Sequence, residues 1–106
     1  MQAAFGAAID AIFRDGNVAE DAIWRAGGAG DSLAVRVIRK SSDEVVSFGS
    51  SRTVMATVLI DVRVSEVALP AAGDTAEIDD SLFEIIGTPM RDGLGLVWTC
   101  EATLHE

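Results

Sequence analysis

The sequence is poor in the residues that most often carry catalytic chemistry. Among 106 residues it has one histidine, one cysteine and no tyrosine. The histidine, His105, is next to the last residue, where chains fray, so it is a poor general base. The cysteine, Cys100, cannot form an intrachain disulfide, and its alternating apolar neighbours predict a buried thiol. We therefore expect no catalytic residues, no cofactor and no enzyme activity.

Basic residues are also scarce, above all in the second part of the chain. Residues 66–106 have a net charge of −8 and Arg91 as their one base, whereas residues 1–65 have a net charge of −1. Specific DNA binding needs Lys and Arg to neutralise phosphates, so it is not expected here. An acidic wall lets DNA pass or abut without adhering. The alternative is that the acidity serves solubility alone.

Long hydrophobic runs are missing as well. No apolar stretch approaches the roughly 20 residues that a membrane-spanning helix needs, so no membrane association is expected. The length suits a single domain. The single cysteine fits a protein made in, or assembled in, a reducing host cytoplasm.

Helical periodicity is confined to the N-terminus. Apolar side chains recur at helical spacing over residues 2–15, and Gly16–Asn17 ends the pattern. This predicts one amphipathic helix within an N-terminal segment, residues 1–17. Its apolar stripe must be buried against the rest of the chain or against a neighbouring subunit, and packing on the chain's own barrel is the favoured alternative. The stripe consists of Phe5, Ile9, Ile12 and Phe13.

From residue 33 onward the apolar period changes to two, which is typical of β-strands. The clearest alternation covers residues 53–64, where Val58, Ile60 and Val62 share one face, and residues 94–103. Strands are also predicted at 22–24, 33–38, 75–78 and 81–87. Strands of this number need closure to bury one face and protect their edges. The prediction is a mainly β protein: a small closed β-barrel or sandwich of five to six mostly antiparallel strands in residues 18–106, with an N-terminal amphipathic helix.

Turn residues separate the predicted strands. Asp79–Asp80 occupies the position of a two-residue hairpin turn, because Asp tolerates the backbone conformation that such turns require. A second turn is predicted over residues 88–93, with Pro89, Arg91 and Asp92 as candidate surface residues. Residues 27–30 are glycine-rich but lack the Lys-Ser/Thr ending of a phosphate loop, so a plain connector is predicted.

A long exposed loop is predicted over residues 40–52, and it is the main candidate interface. It is rich in Ser, Asp and Gly but has apolar residues in its middle, a pattern typical of segments that become ordered on binding. The basic residues at its two ends favour docking on an acidic partner. The candidate interface residues are Arg39, Lys40, Asp43, Glu44, Val45, Val46, Phe48 and Arg52.

Carboxylates around the predicted hairpin raise the question of a calcium site. Asp74, Glu77 and Asp79–Asp80 are close in sequence, but their spacing does not match an EF-hand loop. Acidic hairpin tips are common for turn reasons alone, so no metal site is expected.

Four segments together resemble a known family. They are RVIR at residues 36–39, DVRVSEV at 61–67, PAAGDTAEID at 70–79 and GTPMRDGLGLVWT at 87–99. Their order and spacing, over roughly residues 20–103, resemble the phage head-tail joining proteins. These are also called head completion or stopper proteins and occur in siphophage-like tailed phages and prophages, with relatives in gene transfer agents.

The resemblance implies a structural protein of the virion, at the connector between head and tail. It implies a β-barrel with a flanking helix, and a ring of copies below the portal and its adaptor. The ring would retain packaged DNA and present a docking surface for the tail terminator or other tail proteins. No catalytic residues come with the family.

Two other readings remain open. A tail-terminator-like or other neck component is also a small β-rich ring protein, and the sequence separates these roles poorly. A carrier-type barrel uses similar tight hairpins but needs a lysine at a hairpin tip for acylation. The chain's one lysine is Lys40, whereas Asp79–Asp80 occupies the clearest tip.

Overall fold

A computed structural model describes residues 2–41 and 57–105 of the chain. Within these residues the chain forms one α-helix and six β-strands, with a short 3-10 turn at Ala26–Gly28. The elements are α1 (Gln2–Arg14), β1 (Glu20–Arg25), β2 (Leu33–Ser41), β3 (Thr57–Arg63), β4 (Thr75–Ile78), β5 (Ser81–Arg91) and β6 (Val97–His105).

The six strands close into one antiparallel barrel. Their order around the barrel is β1-β2-β3-β6-β5-β4, and β4 pairs with β1 to complete the circle. Closure gives each of the six described strands two neighbours, so the backbone edges of the sheet are paired and its inner face is enclosed. The prediction of a small, mainly β barrel with antiparallel strands and an N-terminal helix is confirmed.

The core follows the predicted two-residue period. Ile60 and Val62 of β3 point inward beside Cys100 of β6, and their exposed fractions are zero. Val58 packs against the same cluster from the start of β3. Burial of such side chains stabilises a fold by about 1.5–3 kcal/mol each. The buried cluster is made of Ala22, Trp24, Val35, Val37, Ile60, Val62, Val67, Ala76, Ile78, Phe83, Ile85, Cys100 and Ala102.

The predicted turn at 88–93 is wrong in its first half. β5 continues to Arg91, and the turn lies after it. The register changes from Ile86 opposite Glu101 to Met90 opposite Thr99, so three residues of β5 stand opposite one residue of β6. This irregularity holds Gly87 at a positive φ of 69° and also accommodates Pro89. Glycine and proline therefore mark a bulge in a continuous strand.

Two further boundaries differ from the sequence prediction. β6 begins at Val97 rather than Leu94, because residues 92–96 form the β5–β6 turn. Lys40 and Ser41, predicted at the start of the long loop, belong to β2, where they pair with Leu59 and Val58. The remainder of that loop and residues 53–56 of the predicted strand lie outside the described residues.

Helix α1 ends one residue earlier than predicted. Its C-terminal part is attached to the barrel, and Phe13 is 2% exposed. Ile9 is half-buried, whereas Phe5 is 51% and Ile12 is 44% exposed. Of the four predicted stripe residues, Phe13 is therefore buried and Ile9 is half-buried, whereas Phe5 and Ile12 remain largely exposed.

The alternation of strand directions gives the barrel two ends. We call the first the hairpin end; it has the β4–β5 turn, Ser41, Thr57 and His105. We call the second the loop end; it has residues 26–32, 64–74 and 92–96.

Candidate docking surfaces

The hairpin end is defined by two adjacent aspartates. Asp79 and Asp80 have φ values of 48° and 64°, and Ile78 pairs with Ser81 on either side of them. Positive φ at both central residues gives the twist that a two-residue hairpin needs. The predicted hairpin turn is confirmed, and both carboxylates are exposed.

Arg39 lies at the hairpin end, where its side chain contacts Glu20 of β1 and Phe83 of β5. Its guanidinium donates two hydrogen bonds of 3.1 Å to the carboxylate of Glu20 and lies 5.7 Å from the centre of the Phe83 ring. Because Arg39 pairs with Ile60, its side chain starts from the inner face of the sheet. This predicted interface residue is therefore already engaged with side chains of two other strands of the barrel.

Lys40 is engaged within the chain as well. Its ammonium lies 2.9 Å from the carboxylate of Asp61, which is 8% exposed and also accepts a 2.8 Å hydrogen bond from the Thr99 hydroxyl. The structure thus brings Arg39 and Lys40 to one end of the barrel. The other predicted interface residues lie outside the described residues; they are Asp43, Glu44, Val45, Val46, Phe48 and Arg52.

The predicted site at Pro89, Arg91 and Asp92 lies toward the loop end. The Arg91 guanidinium lies 5.6 Å from the centre of the Trp98 ring, directly across the β5–β6 pair. The Asp92 carboxylate accepts a 2.8 Å hydrogen bond from the Leu96 backbone and shapes the turn. Pro89 lies in the bulge, so the three residues do not form one cluster.

A buried carboxylate organises the loop end. Asp74 is 6% exposed and accepts hydrogen bonds from the Trp24 indole at 3.1 Å, the Gly27 backbone at 2.9 Å and the Ala71 backbone at 3.0 Å. Charge-assisted bonds of this kind compensate the burial of a carboxylate. This role of Asp74 was not predicted from the sequence. The available signal was that Asp74 follows a glycine just before a strand, a position where side chains often accept hydrogen bonds from a turn.

Two arginines attach α1 to the barrel wall. Arg36 donates to the Phe13 carbonyl at 2.9 Å and to the Ala19 carbonyl at 3.1 Å. Arg63 lies 5.3 Å from the centre of the Phe13 ring and pairs at 2.9 Å with both Asp10 and Glu66. The sequence signal was an arginine among the apolar residues of β2 and of β3. Most of the partners of these arginines are 15 or more residues away along the chain, so the sequence pattern alone did not identify them.

The loop end also exposes large apolar side chains. Leu69 is 83% and Met90 is 67% exposed, and Leu33 and Leu94 are each more than two-fifths exposed. A cavity of about 280 Å³ lies nearby, between α1 and the loops that follow β3 and precede β6. It is lined by Gly6, Ile9, Asp10, Arg63, Val64, Ser65, Gly95 and Leu96. Exposed apolar side chains concentrated at one end of a small barrel make that end a candidate protein interface.

The side chains considered for chemistry are separated. Burial, together with the negative charges of Asp61 and Asp74, raises the pKa of Cys100 to about 12, so its thiol is neutral at physiological pH. His105 lies in β6, opposite Leu82 at the hairpin end. In the described part of the chain, no three His, Cys, Asp or Glu side chains are grouped as metal ligands. None of the described helices has the length and apolar character to cross a membrane.

Fold and surfaces together define a class: a small closed β-barrel with a helix on its wall, whose two ends differ in chemistry. A family model described as the phage head-tail attachment protein matches residues 1–102. The chain belongs to this family, which confirms the resemblance seen in its sequence and implies a place in the virion, in contact with head and tail components. No curated protein matches the chain, and no solved structure does.

Proposed function

We propose that this protein is a structural ring subunit that joins the DNA-filled phage head to the tail and retains the packaged DNA, without catalysis. The observation that carries the proposal is the family match over residues 1–102, on a barrel whose ends present different surfaces. A protein between two larger assemblies needs two such surfaces.

The charge of the chain supports the proposed place beside DNA. The net charge is −9, and the exposed carboxylates Glu77, Asp79 and Asp80 lie on β4 and its hairpin. A channel wall of this sign repels phosphates, so DNA slides past it or rests against it without being gripped. The same charge disfavours premature association of free subunits and makes ring formation depend on the head as a template.

The proposed docking residues include the segment that follows β2. We assign residues 43–49 a role in locking the subunit to a neighbour or lining the channel, because apolar Val45, Val46 and Phe48 are flanked there by charged residues. Deletion of residues 43–49 should leave a folded monomer that does not complete heads. Normal infectious particles assembled with this deletion would rule the role out.

The function is tested by in vitro joining. Lysates of a parent phage lacking the protein supply filled heads and free tails, and the purified protein is added back. We expect infectious particles to form only after addition, and electron microscopy without addition to show filled or leaking heads beside unattached tails. Naked tails together with empty shells unable to package DNA would contradict a joining role.

A further inference from the structure

A groove crosses the outer wall of the barrel at β1. It consists of two adjoining depressions, about 250 Å³ on the β2 side and about 310 Å³ on the β4 side, which share Asp21, Ala22 and Ile23. We call it the β1 groove. Its full lining is Asp21, Ala22, Ile23, Ala34, Val35, Arg36, Glu66, Glu77, Asp79 and Asp80.

The groove combines an apolar floor with an acidic rim. Ile23 and Ala34 pair directly across β1 and β2 on the outer face, and five carboxylates surround them. The one base in the lining, Arg36, is already bonded to Asp21 at 2.8 Å and to two backbone carbonyls. Glu66 is likewise paired at 2.9 Å with Arg63, so among the described residues the uncompensated negative charge of the rim is that of Glu77, Asp79 and Asp80.

Three of the five acidic groups are held in place without an ion pair in the part of the chain that the structure describes. Asp79 and Asp80 are fixed by the hairpin backbone, and Glu77 projects from β4 opposite Ile23. All three are exposed, and within residues 2–41 and 57–105 they have no ion-pair partner. Asp21 remains 91% exposed despite its contact with Arg36. Fixed and uncompensated charges of one sign favour an occupant of the opposite sign.

A second copy of the chain is a poor occupant by the same reasoning. Each copy has a net charge of −9. Four of the described bases already form ion pairs inside the chain; they are Arg36, Arg39, Lys40 and Arg63. DNA is excluded by its phosphates.

We propose that the β1 groove docks a basic, partly apolar segment of one head or tail protein. The proposal rests on the proposed function and assigns a surface and a partner chemistry to it. Lys or Arg side chains of the partner reach the rim carboxylates, while their aliphatic stems or a neighbouring apolar residue cover Ile23 and Ala34.

The test compares two variants that each remove three negative charges. The groove variant is Glu77→Gln/Asp79→Asn/Asp80→Asn, in which Asn is chosen because it tolerates positive φ. The control variant is Asp31→Asn/Glu84→Gln/Glu101→Gln, whose positions lie outside the groove lining. Circular dichroism and melting temperature establish that both variants are folded.

Binding is measured by cosedimentation with purified tailless heads and, separately, with purified tails, at low and high salt. The wild-type protein should bind either the heads or the tails, and its affinity for that particle should be higher at low salt than at high salt. The groove variant should bind that particle at least about tenfold more weakly and with less salt dependence, and the control should stay within about twofold of wild type.

The outcomes separate this proposal from the joining function. Equal binding by the groove and control variants overturns the groove proposal, while joining by the wild-type protein leaves the proposed function intact. If the groove variant, unlike the control variant, changes the sedimentation of the protein alone, the groove is a contact between copies and the basic-partner proposal is wrong. Failure of the wild-type protein both to bind particles and to restore joining overturns both.

Discussion

Asp74 is one of two buried acidic residues in the described part of the chain. Its carboxylate joins β1, the 3-10 turn and the loop before β4 through three hydrogen bonds. Removing one partner of a buried polar group leaves the others unsatisfied, which costs more than the bond itself contributes. The loop end is therefore expected to depend on this one side chain.

The corresponding prediction concerns stability. Asp74→Ala should lower the free energy of unfolding by about 2–4 kcal/mol, because it strands the Trp24 indole and two backbone donors. Urea denaturation measures the change. Asp31→Ala, at an exposed acid, is the control and should stay within about 0.5 kcal/mol of wild type. A similar small effect for Asp74→Ala would show that water replaces the carboxylate.

Cys100 gives a prediction about pH. The fold raises the pKa of its thiol from the ordinary 9.0 to about 12, through burial and then the charges of Asp61 and Asp74. The folded state thus favours the neutral thiol. The stabilisation of the fold that results from this preference is fully present below pH 9 and is lost as the pH rises toward 12. Wild-type protein should lose more stability between pH 8 and pH 10 than Cys100→Ala does, as measured by urea denaturation. Equal losses would contradict a protected thiol.

At the scale of the element, α1 depends on the barrel. An isolated helix of its length is marginal in water, so its attachment through Phe13, Arg36 and Arg63 keeps it folded. Phe13→Ala should release the helix while the strands stay protected, because the ring is buried and stacked on Arg63. Hydrogen exchange should show loss of protection in residues 2–14 alone. Phe5→Ala, at a half-exposed ring, is the control and should leave that protection unchanged.

The β4–β5 hairpin gives a second prediction at this scale. Positive φ at two aspartates is less favourable than at the Asn-Gly pair that such turns prefer. Asp79→Asn/Asp80→Gly should therefore raise the free energy of unfolding by about 0.5–1.5 kcal/mol, and the measurement is an increase in melting temperature.

The same variant should join heads to tails less efficiently if the two carboxylates contact a partner. A more stable and fully active variant would show that the aspartates serve the turn alone.

At the scale of the whole molecule, charge and apolar exposure act in opposite directions. The loop end exposes Leu69 and Met90, which favours association, whereas the net charge of −9 opposes it. Sedimentation should find a monomer at low salt and increasing self-association as salt screens the repulsion. A stable ring of free protein at low salt would contradict assembly on a template.

The sequence by itself determined the type and order of the elements and which alternating residues of the strands form most of the core. The two-residue period of Val58, Ile60 and Val62 is a local property of the chain, and so is the helical spacing before Gly16. The Asp79–Asp80 turn is local too. The resemblance to the family was also recognised from the order and spacing of sequence motifs, without the folded structure.

The tertiary structure decided what depends on long-range pairing. Gly87 and Pro89 look like a turn in sequence, and only the register against β6 shows that they form a bulge within β5. The Asp74 contacts and the β1 groove join residues that are about 50 positions apart along the chain. Barrel closure brings β4 beside β1, and no local pattern specifies which side chains meet across that seam.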